Sequence, residues 1–153
     1  MNGAKATSGV TVSKIRVLFL CVGNTARSQM AEAFLRAYGG DDFDVSSAGL
    51  EPREIDPLTF AVMRERGFDL RGQYAKPLSE FLGKVHFGYL ITVCDRAERE
   101  CPTFPGMGTR LSWSFEDPAA FRGTDEQRLA KFREVRDGLE LSVREWLVFR
   151  ASW

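Results

Sequence analysis

Cysteines stand at positions 21, 94 and 101, and the neighbours of the first could turn it into a nucleophile. Cys21 is followed by Val22, Gly23, Asn24, Thr25 and Ala26, and then by Arg27 and Ser28. Five residues between a cysteine and an arginine are few enough for the chain to curl around one small tetrahedral anion with its amides turned inward. Gly23 and Asn24 are residue types that tolerate the positive φ such a curl needs. The same field, reinforced by a helix starting at Ser28, lowers the pKa of a thiol from its ordinary value of about 8.5, so Cys21 is expected as a thiolate. Arg27 offers a planar fork for two oxyanion oxygens at once, which a lysine cannot do. Ser28 is placed to donate a hydrogen bond to the sulfur. Taken without their flanks, these residues also fit a buried cysteine that ends a core strand beside an unrelated arginine.

The flanks argue for the first alternative. Residues 15–20 form an apolar, β-rich run, and from Ser28 onward Met30, Ala31, Phe34, Leu35 and Tyr38 recur at helical spacing. A Gly-Gly-Asp-Asp turn leads to an alternating strand over 43–48. Asp56-Pro57 reads as the N-cap and first residue of a helix that Gly67 closes. Residues 68–78 are irregular and a short helix is expected at 79–82. The near-continuous apolar run at 89–93, ending in Cys94, suits a strand buried on both faces, and 110–113 suits a shorter fourth strand. Over 124–149, Leu129, Phe132, Val135, Leu139, Val143, Trp146 and Leu147 mark one long amphipathic helix. Gly138 interrupts it, at a cost of up to about 1 kcal/mol against alanine. The expected fold is α/β, a small doubly wound domain with a central four-stranded parallel sheet flanked by helices. Ligands in such sheets sit beyond the carboxyl ends of the strands, so Cys21 and Cys94 are expected to share one edge of the sheet.

With 153 residues the chain suits one domain, over 14–153, preceded by a small, polar, flexible tail over 1–13. Lysine plus arginine and aspartate plus glutamate both number 21, so no general affinity for nucleic acid or an anionic membrane is expected. No apolar run approaches the roughly 20 residues needed to cross a bilayer, and residues 1–13 lack a signal peptide's long apolar core. The cytoplasm is the default, and there three thiols suit catalysis or redox exchange better than a disulfide scaffold. A zinc site is disfavoured, because no Cys-x2-Cys pair or closely spaced histidine partner exists. His86, the single histidine, reads as a packing or surface residue.

Cys94 and Cys101 lie seven positions apart. Were the segment between them a regular helix, their axial offset would be about 10.5 Å. A disulfide needs α-carbons roughly 4.4 to 6.8 Å apart, so joining these two requires the segment to unwind. Two core cysteines without chemistry remain an alternative at this point.

The run from Cys21 to Ser28 and on through Gln29, Met30, Ala31 and Glu32 resembles the anion loop of the low-molecular-weight tyrosine phosphatase family, and its Ser-Gln-Met-Ala-Glu continuation is most similar to the thioredoxin-coupled arsenate reductase branch. The resemblance spans about residue 14 to the C-terminus. It implies that Cys21 attacks arsenate, held by the loop of residues 21–28. It implies further that Asp117, in an Asp-Pro pair similar to the family's general acid, protonates the departing oxygen. Cys94 and Cys101, similar to the branch's redox segment, then carry the oxidised bond outward to thioredoxin or another dithiol reductant. No metal or organic cofactor is required, and a monomer is expected. In some members a bound potassium ion helps to order the loop; Asn24, Glu32 and Ser47 correspond to that region, with its remaining partners not evident at 74–76. The bland alternatives are that Asn24 supports the loop backbone and that Glu32 is a solvated helix residue. Tyrosine phosphatases of the family usually place a tyrosine after the Asp-Pro pair, where this chain has Ala119. Phosphomonoester hydrolysis through a phosphocysteine is the competing activity, and an oxyanion sensor without turnover is a third.

Overall fold

A computed structural model describes residues 13–103 and 105–151. The tail expected over 1–13 therefore lies, but for Ser13, outside the described residues. Four strands, β1 (Ile15–Cys21), β2 (Phe43–Gly49), β3 (Phe87–Thr92) and β4 (Met107–Ser112), alternate with four helices, α1 (Arg27–Gly39), α2 (Pro57–Glu65), α3 (Asp95–Glu100) and α4 (Asp125–Ala151). The sheet is parallel throughout, in the order β2-β1-β3-β4. The chain thus winds from β1 first toward one edge and then toward the other. Its switch point falls between β1 and β3, where ligands of such sheets bind.

Each element follows from its residues. Val17, Leu18, Phe19 and Leu20 are fully buried, as a central strand covered on both faces must be. Asp56 caps α2 by accepting from the Leu58 amide at 2.9 Å, with Pro57 in the first turn. The stripe on α4 is buried at Phe132, Val135, Leu139, Val143 and Trp146, and α1 and α2 both pack against this helix. Two expected elements shift. The strand at 110–113 starts earlier, at Met107, because an edge strand needs few apolar residues and this one is half exposed. The short helix at 79–82 is a single 3-10 turn, Leu78–Glu80.

Gly138 does not interrupt α4. A Cβ there would lie 2.8 Å from Cε1 of Phe115, so the glycine makes room for an aromatic ring from the β4–α4 connection. Gly49 is equally constrained, since a Cβ on it would meet the Val22 carbonyl oxygen at 2.7 Å. Gly49 thus lies against the loop that follows β1, with Asn24 also within 3.0 Å of such a Cβ.

Candidate active site

Residues 22–26 link β1 to α1, and the partners of their carbonyls explain the loop's shape. The carbonyls of Cys21, Val22, Gly23 and Thr25 accept from the amides of Leu50, Glu51, Arg53 and Asp56 at 2.8 to 3.1 Å. Gln29 Nε2 donates to the Asn24 carbonyl at 3.1 Å, and the Met30 amide to that of Ala26 at 2.9 Å. Every carbonyl from 21 to 26 is thereby engaged by the segment after β2 or by α1, so the loop's shape is fixed from outside it. The Asn24 amide points at Cys21 Sγ, 3.2 Å away. Of the two residues expected at positive φ, only Asn24 adopts it, at 54°. Gly23 instead permits close approach, because a Cβ there would sit 3.1 Å from Arg53 Nη2.

Asn24 is the hub of a fully buried polar cluster. Its Nδ2 donates to Ser28 Oγ at 2.7 Å and to Ser47 Oγ at 3.0 Å, while its Oδ1 accepts from the Lys76 amide at 3.0 Å. Ser28 Oγ in turn lies 2.9 Å from Cys21 Sγ, and Ser47 donates to Glu32 Oε1 at 2.6 Å. A chain of hydrogen bonds thus runs from the sulfur through Ser28, Asn24 and Ser47 to a carboxylate. The loop-support alternative for Asn24 holds. The solvated-helix alternative for Glu32 does not, since Glu32 is only 4% exposed.

Arg27 opens α1 at 8% exposure. Its Nη1 donates to the Phe115 carbonyl at 2.9 Å, and its Nη2 lies 3.8 Å from Asp117 Oδ2. Asp117 caps the short turn that follows, accepting from the Ala119 amide at 3.0 Å. Arg27, Asp117, Gly23, Thr25 and Cys94 line one cavity of about 540 Å3. Arg53 and Arg96 line it too, and sequence reasoning missed both, because only the segments after β2 and β3 folding against the loop bring them there. His86 is exposed and does not line this cavity.

The three thiols are free and buried. Val93 donates to the Leu20 carbonyl at 2.9 Å, so Cys21 and Cys94 leave adjacent parallel strands at the same edge of the sheet. Cys94 caps α3, its Sγ accepting from the Ala97 amide at 3.4 Å, and Cys101 closes the same helix at its far end. Thus the segment between them is helical. Arg110 clasps that end, donating to the carbonyls of Glu98 and Cys101 at 2.5 and 3.2 Å. Burial pushes the Cys101 thiol above its ordinary value, with Arg110 pulling the other way.

The potassium ion implied by the resemblance does not fit here. Glu32 and Ser47 are together, but the space beside Glu32 Oε1 belongs to the Lys76 ammonium, 4.0 Å away and donating to the Tyr74 carbonyl at 2.9 Å. Arg36 occupies the other carboxylate oxygen at 2.5 Å. Two cations against one carboxylate leave no charge for a third.

A parallel doubly wound sheet whose switch point carries a cysteine, a curled amide loop and a buried arginine defines the class of cysteine-based phosphatase folds. The sequence profile of the "Low molecular weight phosphotyrosine protein phosphatase" family matches residues 16–151. This chain belongs to that family, and within it to the arsenate reductase branch. It is 41% identical to an arsenate reductase of Halalkalibacterium halodurans over 134 residues, covering 87% of this chain and 95% of that one. The solved structure of an arsenate reductase in the phosphate binding state superposes with a TM-score of 0.74 at 31% identity, covering 88% of this chain and 97% of the other. A thioredoxin-dependent arsenate reductase of Corynebacterium glutamicum superposes with a TM-score of 0.69 at 32% identity, covering 97% and 68%.

Proposed function

We propose that this protein reduces arsenate to arsenite by passing electrons through its three thiols to a dithiol protein of the thioredoxin kind. The observation that carries this reading is that Cys94, free and buried, lines the same cavity as the anion loop. A hydrolase needs Cys21, Arg27 and an acid; it does not need a second thiol at that edge. The relatives named arsenate reductase support the substrate, which shares the tetrahedral shape and charge of phosphate.

The Cys21 thiolate attacks arsenic while Asp117 protonates the departing oxygen, leaving water and a sulfur–arsenic bond. Arg27 turns its fork from Phe115 and Asp117 toward the anion's oxygens. Cys94 attacks the Cys21 sulfur, the electron pair of the sulfur–arsenic bond passes to arsenic, and arsenite leaves behind a Cys21–Cys94 disulfide. Cys101 attacks Cys94, freeing Cys21 and forming Cys94–Cys101. The dithiol partner reduces that bond and restores the enzyme. The last exchange requires α3 to unwind, which would also bring Cys101 out of the burial that pushes its thiol up. A cytoplasmic setting, where thiols stay reduced, suits three free cysteines.

The test is arsenate-dependent NADPH oxidation in the presence of thioredoxin and thioredoxin reductase, for the wild type, Cys94→Ser and Cys101→Ser. Loss of turnover in both variants, with aryl-phosphate cleavage retained, is the expected result. Turnover that survives both changes refutes the relay, and aryl-phosphate cleavage without arsenate turnover in the wild type assigns a phosphatase.

A further inference from the structure

We infer that Lys76 is a built-in cation for the anion loop: its ammonium takes the place beside Glu32 that a metal ion would need, and the loop is ordered without one. The inference rests on the oxyanion reading of the loop and not on the three-thiol relay.

Lys76 is 7% exposed, and a lysine so deeply buried needs compensation. Its Nζ has a carbonyl, Tyr74 O at 2.9 Å, a carboxylate, Glu32 Oε1 at 4.0 Å, and the Tyr74 ring, whose centroid lies 4.6 Å away. An oxygen ligand, a carboxylate and a π face are the surroundings of a bound monovalent cation, and the ammonium is that cation on a tether. The other charged groups facing this space are Arg36, paired with Glu32, and Glu80, which adds a second negative field. Burial draws the Lys76 ammonium below lysine's ordinary value while Glu32 and Glu80 hold it up.

The link to the site runs through the backbone of Lys76 as well as through its charge. The Lys76 amide donates to Asn24 Oδ1 at 3.0 Å, and its carbonyl accepts from Gly49, the last residue of β2, at 2.9 Å. One residue therefore holds the amide side chain of Asn24 and, through Glu32 and Ser47, its other end. Lys76 is a positioning residue: it touches no reacting atom and acts through Asn24 on Ser28 and Cys21.

Phosphate affinity by calorimetry and the Tm are measured in potassium chloride and in tetramethylammonium chloride at equal ionic strength. For the wild type, both quantities are expected to be the same in the two salts. Lys76→Met, which keeps the length and loses the charge, is expected to bind phosphate about tenfold more weakly in either salt. Lys76→Ala, which opens space beside Glu32, is expected to recover affinity in potassium and not in tetramethylammonium. A wild type whose Tm or affinity rises with potassium overturns the inference, as does a Lys76→Met variant that binds as the wild type does. Lys76→Ala that recovers in neither salt removes the charge role. A wild type that binds phosphate in neither salt is the failure of the oxyanion reading, and its Tm in the two salts then still tests Lys76.

Discussion

At the scale of single residues, the surroundings of Cys21, the proposed nucleophile, are few. Its sulfur has one backbone amide and one hydroxyl, and that hydroxyl is itself held by Asn24. Arg27 is held by two acceptors, the Phe115 carbonyl and the Asp117 carboxylate, which its fork would leave to grip an anion. Arg27→Lys keeps a positive charge and loses the fork. Its phosphate affinity is expected to fall about tenfold to a hundredfold, since charged hydrogen bonds of this kind contribute roughly 1.5–3 kcal/mol; competitive inhibition by phosphate measures it. A lysine variant with unchanged affinity would mean that charge alone holds the anion.

Among the elements, α3 and α4 carry consequences for the site that their lengths do not suggest. Six residues of helix separate Cys94 from Cys101, and Arg110 of β4 holds the end that the proposed relay would open. Arg110→Met is expected to loosen that end. Alkylation of Cys101 by iodoacetamide, followed by mass spectrometry, should then run faster than in the wild type, while Cys21 is little affected. Equal rates for the two proteins would show that the clasp does not govern exposure of Cys101. Gly138 sits in the interior of α4, where alanine would ordinarily gain up to about 1 kcal/mol. Here the methyl group would meet the ring of Phe115, an overpacking that costs about 1–3 kcal/mol and outweighs the gain. Because the Phe115 carbonyl holds Arg27, Gly138→Ala is expected to lower both the Tm and phosphate affinity. A more stable variant would contradict the packing account.

For the molecule as a whole, charged pairs tie the helices into one body. Glu65 of α2 receives Arg133 at 2.6 Å and Arg136 at 2.8 Å, both from α4. These arginines hold its carboxyl at about 2, well below the usual carboxylate range. A depressed acid stabilises the fold above its unfolded pKa, and that contribution is lost as protons bind on the way down to the folded value. The wild-type Tm should therefore fall as pH drops from about 4.5 toward 2, and Glu65→Gln should show a shallower fall from a lower starting point. Superimposable curves would show that the α2–α4 pairing adds nothing to acid stability. The same fold places the switch point of the sheet beside the loop after β1, so the edge proposed to take the oxyanion also gathers two of the three thiols.

Local patterns were enough to identify the strand, loop and helix around Cys21, the cap at Asp56, the stripe on α4 and the order of thiols along the chain, because each depends on residues within a few positions of one another. Apolar periodicity also implied the parallel sheet, and with it the shared edge for Cys21 and Cys94. Contacts between distant segments decided the rest. The loop's carbonyls are engaged by residues 50–56, Arg27 is held by Phe115, Gly138 yields to a ring from another segment, and a lysine far along the chain comes to lie against Glu32. Burial of charge and close approach of backbones are properties of chain segments brought together in space, and no spacing along one segment encodes them.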